Sequence, residues 1–258
     1  MNRPFEGLSF TFNIPSDPFH EIDGVVRGLG PVLDGVFLVG EGMGLGGVVG
    51  ILGKRAIFPL HAETKQVDGS RASRKILLNG VSVKYFSAAC VDPLYKKLRT
   101  VLAPLYLESR PLRPFYFMLM AGRTLAGVKS RYLRLKTYGH VDVEYLINGC
   151  RVEIAVRRNT PRKMRVLVAN ELSGRLFTHM RVDGVRKPIP PWMKLGEGVV
   201  ELVSPSLKLV MTVHRRSDAT AYVGREVLGR RLDWAGVSLE VPAGENKLSY
   251  SVVFERLE

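Results

Sequence analysis

The stretch 141-VDVEYLINGCRVEIAVRR-158 decides the fold class. Apolar and polar residues alternate on both sides of Asn148-Gly149, and a strict period of two marks strands with one buried and one wet face. Asn-Gly tolerates the positive φ angles that a two-residue hairpin turn requires. Closing the chain there pairs Ile147 with Cys150, Tyr145 with Val152, Val143 with Ile154 and Val141 with Val156. One face becomes wholly apolar, and the other carries Asp142, Glu144, Arg151, Glu153 and Arg157.

Outward from this hairpin the same signals recur. Asp68-Gly69, Asn79-Gly80 and Asp183-Gly184 are further turn signatures, and alternating runs occupy 164–169, 198–203, 207–214 and 248–254. The expectation is a mainly β chain, a large antiparallel β-sandwich or barrel. The middle breaks the pattern. Asp92 can cap a helix, Pro93 suits its first turn, and Leu94, Leu98, Val101, Leu102 and Leu105 follow at helical spacing. Pro104 ends or kinks that pattern, and a second short helix is expected at about Phe115 to Leu125. The organisation read from the sequence is thus an N-terminal β region with a glycine-rich segment (1–90), a short two-helix insert (91–130) and a C-terminal antiparallel β region (131–258). These make an α+β chain overall, and one continuous domain can hold all three, since 258 residues suit a single large β-sandwich.

Composition narrows the class. Hydrophobic residues form 46% of the chain and charged residues 24%, enough to build a core. No run approaches the roughly 20 apolar residues of a membrane-spanning helix. The N-terminus lacks the apolar core of a secretory signal, so a cytoplasmic location is the default expectation. Cys90 and Cys150 are too few for a thiolate zinc site, and free thiols are expected over a disulfide. The single glutamine, Gln66, beside 38 lysines and arginines reads as a thermophilic composition.

The net charge of +14 is unevenly spread. Met1 to Leu60 holds 4 basic and 6 acidic side chains, His61 to Arg165 holds 21 and 7, and Val166 to Glu258 holds 13 and 11. A central excess of this size points to an anionic partner, nucleic acid foremost, or simply to a solubilising surface. The candidate polyanion contacts are Lys96, Lys97 and Arg99 on the first helix, and Arg157, Arg158, Arg162 and Lys163 beyond the hairpin. Tyr132 and Tyr138 are candidates for stacking on bases. Against this, a three-residue loop at 138–140 would set Lys136 opposite Asp142 and Arg134 opposite Glu144 as cross-strand ion pairs.

Short catalytic motifs are missing, and the five histidines lack metal-ligand spacing, so no metal or cofactor is expected and binding is favoured over catalysis. Gly42, Gly44 and Gly47 match GxGxxG, but Val48, Val49 and Ile51 after them favour strand, where a dinucleotide site needs a helix N-terminus. The favoured reading is a β-rich binding protein with a basic central region. The alternative is a carbohydrate-binding or carbohydrate-active β-sandwich. It would use Asp233 and Trp234, the ring stacking on a sugar while the acid accepts its hydroxyl protons, with a further carboxylate from Glu41, Glu63 or Glu171. His61 and Glu63 share a strand face and with Glu41 could do acid–base work.

Overall fold

The structure is a computed structural model that describes residues 10–13, 25–53, 55–68, 70–85, 118, 129–134, 136–182, 184–196, 199–215, 218–228, 232–242 and 244–257. The described residues form antiparallel β-structure almost throughout, as the period-two pattern implies. A small sheet joins β1 (Phe10–Asn13), β2 (Gly30–Leu33) and β3 (Val36–Phe37), and the rings of Phe10 and Phe12 pack on Phe254 of the main core.

The main sheet begins at an edge with β12 (Val185–Pro188) and β11 (His179–Val182). It continues through β14 (Val200–Ser204), β15 (Leu209–His214), β18 (Lys247–Arg256), β9 (Arg151–Asn159) and β8 (His140–Asn148). Next come β6 (Arg71–Tyr85), β5 (Arg55–Asp68), β4 (Gly44–Leu52), β10 (Arg165–Ser173), β17 (Leu232–Glu240), β16 (Ala221–Leu228) and finally β13 (Met193–Lys194). β7 (Lys129–Arg134) pairs with the far part of β6. Laid flat, thirteen strand spacings of about 4.8 Å would separate the two edges by about 60 Å. Yet the edge strands β12 and β13 are joined by residues 189–192 alone, a reach of about 18 Å. The sheet is therefore rolled on itself. The connector stitches the seam, with Ile189 N–H donating to Thr178 O and Arg225 N–H to Pro190 O.

Rolling gives every strand an inner and an outer side. Val141, Val143, Val152, Ile154 and Val156 lie inside and are buried, while their neighbours in β9 alternate outward. The hairpin register differs from expectation. Asn148 pairs with Arg151, Ile147 with Val152, Tyr145 with Ile154 and Val143 with Val156, so the loop residues are Gly149 and Cys150. Gly149 has φ +55°, and a positive φ at the first loop position alone is the type II′ arrangement. Slipping the partner by two residues leaves the same side chains inside, which is why alternation could not distinguish the registers.

Asn79-Gly80 is not a turn either. It sits inside β6 where the β5 register shifts, and Asn79 Oδ1 accepts the Leu60 N–H at 2.8 Å. The expected ion pairs of Arg134 and Lys136 with β8 do not form, because β7 pairs with β6, and Lys75 and Ser73 take the places opposite Asp142 and Glu144. The two-helix insert falls outside the described residues apart from Met118 and the start of β7, and nothing in the described structure supports it. Among the described residues no helix is long and apolar enough to cross a membrane.

The glycine-rich segment is strand β4 and its approach. Gly46 has φ +70° and is the extra residue where the β4–β10 register shifts. A Cβ there would lie 2.8 Å from the Tyr145 hydroxyl, which donates to Leu45 O at 3.2 Å. Asn170 Oδ1 accepts the Gly46 N–H at 3.2 Å and the Tyr250 hydroxyl at 2.9 Å. The glycine thus admits a buried polar tie between opposite walls of the roll.

Candidate functional site

On the arc formed by β6, β8, β9, β18 and β15 no described segment lies over the outer face, and the register lays its side chains out in rows that cross the strands. One row reads Arg71, Leu146, Glu153, Ser251 and His214. The adjacent row reads Ser73, Glu144, Ala155 and Ser249. Small side chains at Ser73, Ala155, Ser249 and Ser251 occupy places where the wet face of a sheet normally carries long ones. The next row is built from long charged residues, Glu63, Lys75, Asp142, Arg157 and Lys247, and on the other side stands Arg151. The result is a groove of about 790 Å³ running across the strands and lined by both inner rows, Arg151 and Arg215.

The groove mixes both signs of charge. Arg151 Nε lies 3.3 Å from Glu153 Oε1. Arg215 is anchored by hydrogen bonds to Ala219 O and Gly196 O. Glu144 is exposed and has no ion-pair partner among the described residues. Donors (arginines, serines) and acceptors (carboxylates, serines, His214) therefore stand within one trough, beside the half-exposed apolar surface of Leu146.

The residues of the carbohydrate alternative lie elsewhere, and the structure brings three of them together. Glu171 is on β10, Asp233 and Trp234 are on β17, and Trp234 pairs with Ser173. All three are buried. Parity turns Asp233 inward, where it takes a two-point hydrogen bond from Arg225 at 2.8 and 2.6 Å. Glu171 and Trp234 face outward, and the segment around Gly42 and Met43 covers Glu171. Glu171 Oε2 accepts the Met43 N–H at 3.0 Å, and burial pushes its carboxyl up to about 7, with the charge of Glu226 adding and that of Arg27 opposing. Glu63 is exposed opposite Lys75, in the charged row beside the groove, and Glu41 is half-buried in the turn before β4.

Five of the nine polyanion candidates have described side chains. Arg157 stands between Asp142 and Lys247 in the charged row. Arg158, expected at the surface, is buried on the inner side and donates to Met164 O at 3.1 Å, because strand parity places it beside Val156's face. Arg162 and Lys163 are exposed in the turn after β9, and Tyr138 is partly buried against the core. Lys96, Lys97, Arg99 and the side chain of Tyr132 lie outside the described residues.

The sequence had pointed to Glu144, Arg151 and Glu153 only as a wet face, and the groove residues Ser249, Ser251 and His214 had drawn no functional reading. The legible signal was Lys247-Leu248-Ser249-Tyr250-Ser251, a strand whose outward positions after Lys247 are serines.

No protein-family model matches the chain, and no curated protein does. Among solved structures, a galactose mutarotase-like protein from Lactobacillus casei ATCC 334 is similar at a TM-score of 0.41 and 11% identity, over 91% of this chain and 96% of that one. A likeness this distant carries no functional argument.

Proposed function

We propose that this chain recognises carbohydrate in the groove between β6 and β15. The observation that carries the reading is a serine-floored trough on an otherwise ordinary wet sheet face, with acids and bases in alternation. Sugar hydroxyls donate and accept at once, so their site needs both kinds of partner and some apolar surface for the ring's C–H faces. A polyanion site needs one sign of charge, and Glu144 and Glu153 oppose that. The test is calorimetric titration of the intact chain with cellotetraose, xylotetraose, maltotetraose, chitotetraose and mannotetraose. Binding of at least one, lost in Ala155→Trp, is the expected result. Absence of heat and of any thermal shift with all five overturns it.

A further inference from the structure

We infer that the groove takes a neutral oligosaccharide lying across the strands, rather than a single sugar, an inference that rests on the carbohydrate reading. The shape of the site carries it. Five neighbouring strands contribute to the trough, from Arg71 on β6 to His214 on β15, and four strand spacings make a length of about 19 Å. The volume of about 790 Å³ lies high in the range of small-molecule sites and exceeds what one pyranose fills.

Each strand also offers its own polar group to the trough, so the pattern of partners repeats at the strand spacing, a step comparable to the length of one sugar unit. A single ring could touch at most two strands' worth of these groups. Glu144, Ala155, Ser249 and His214 are all exposed, so among the described residues no wall closes over a small ligand. An open face gathers affinity only by adding contacts along an extended ligand. Of the trough's three arginines, Arg151 is held by Glu153 and Arg215 by two carbonyls, while Arg71 stands at one end, and the carboxylates of Glu144 and Glu153 along the middle oppose an acidic chain.

The experiment is a length series. The intact chain is titrated with the one-, two-, four- and six-unit members of each neutral series named above, and with tetragalacturonate as an acidic chain. For a series that binds, the tetramer is expected to bind about tenfold or more tighter than the monomer, a difference of roughly 1.4 kcal/mol, with little further gain at six units. Arg71→Ala and His214→Ala, at opposite ends of the trough, should each weaken the tetramer, and at least one of them should leave the monomer's affinity unchanged. Both residues are exposed, so both variants should melt as the parent does, which keeps the comparison interpretable even where Ala155→Trp fails to fold. A monosaccharide that binds as tightly as its tetramer leaves the carbohydrate reading standing and overturns the oligosaccharide inference. Preference for tetragalacturonate over the neutral tetramers overturns it as well. Silence from every saccharide removes both.

Discussion

Two arcs of the same outer sheet face contrast sharply. From β5 and β4 across β10 to β16 the face is covered, by Val25 and Met43 and, over Gly224, by Trp192, with Arg27 donating to the carbonyls of Gly40 and Gly42. There the charged and aromatic residues are consumed as structure, Glu171 by a backbone amide, and just inside the roll Asp233 by Arg225. Around β6, β8, β9, β18 and β15 nothing described lies over the face, and side chains of the same types line an open groove. Residue type alone thus says little about function. What decides it is whether another segment of the chain has already taken the side chain's hydrogen bonds.

The largest expected effect breaks the covered arc. Arg225 and Asp233 are 14% and 13% exposed, so replacing Arg225 by Ala strands a carboxylate away from water. Arg225→Ala should lower stability by about 3 kcal/mol, read from the urea midpoint, whereas Asp233→Asn with Arg225 kept should cost less. An Arg225→Ala variant as stable as the parent would mean that this pair is as loosely held as the groove residues.

Next in size is a pH effect confined to Glu171. Its carboxyl titrates near 7 in the folded chain, against an ordinary value of 4.5, so between those values the folded state holds a proton that the unfolded state has released. Stability should therefore be greatest below about pH 4.5 as far as this group is concerned. It should fall as the pH rises to 7, by about 3 kcal/mol in total. Glu171→Gln keeps an oxygen for the Met43 N–H and removes the titration. Its urea midpoint should be flatter than the parent's between pH 5 and 8, and an unchanged slope would assign the titration to another group.

A somewhat smaller loss is expected at the polar tie between the walls. Gly46→Ala forces a side chain into a left-handed backbone conformation and against the Tyr145 hydroxyl, and should cost about 2 kcal/mol in thermal or urea unfolding. Tyr145→Phe relieves the contact but leaves the carbonyls of Leu45 and Gly46 without that donor. The double variant should be less destabilised than the sum of the singles.

How much of this was legible in the sequence follows the range of each signal. Strands β8 and β9 and their buried valines could be read because alternation is local and strong. The pairing of β7 with β6 could not, since Lys129–Arg134 reaches a strand some fifty residues earlier, and no local pattern encodes that choice. Asn79-Gly80 misled because a hairpin signature and a bulge ask for the same residues. Pro59 opposite Leu78 was the overlooked clue, since a proline inside a long strand marks a disrupted ladder. The sequence offers Glu171 only as one of three carboxylates, with Glu41 and Glu63, that could join Asp233 and Trp234; the β10–β17 pairing that makes Glu171 their neighbour, and the cover that residues 25–43 give it, are both long-range. These are tertiary facts with no signature in the sequence of β10 or β17.

The smallest effect on stability should come from the open arc, and it sharpens the comparison most. Glu144 is exposed, unpaired among the described residues, and set between Ser73 and Ala155. Removing its charge strands no partner and opens no cavity, so Glu144→Gln should move the urea midpoint by no more than about 0.5 kcal/mol. On the proposed reading its carboxylate accepts hydrogen bonds from sugar hydroxyls, and charge-assisted acceptors are stronger than amide ones. The same variant should therefore weaken the preferred tetrasaccharide by about tenfold, while Glu171→Gln, on the covered arc, leaves that affinity alone. If Glu171→Gln is the variant that loses the sugar and Glu144→Gln binds as the parent does, the ligand sits on the covered arc and the contrast between the two arcs is reversed.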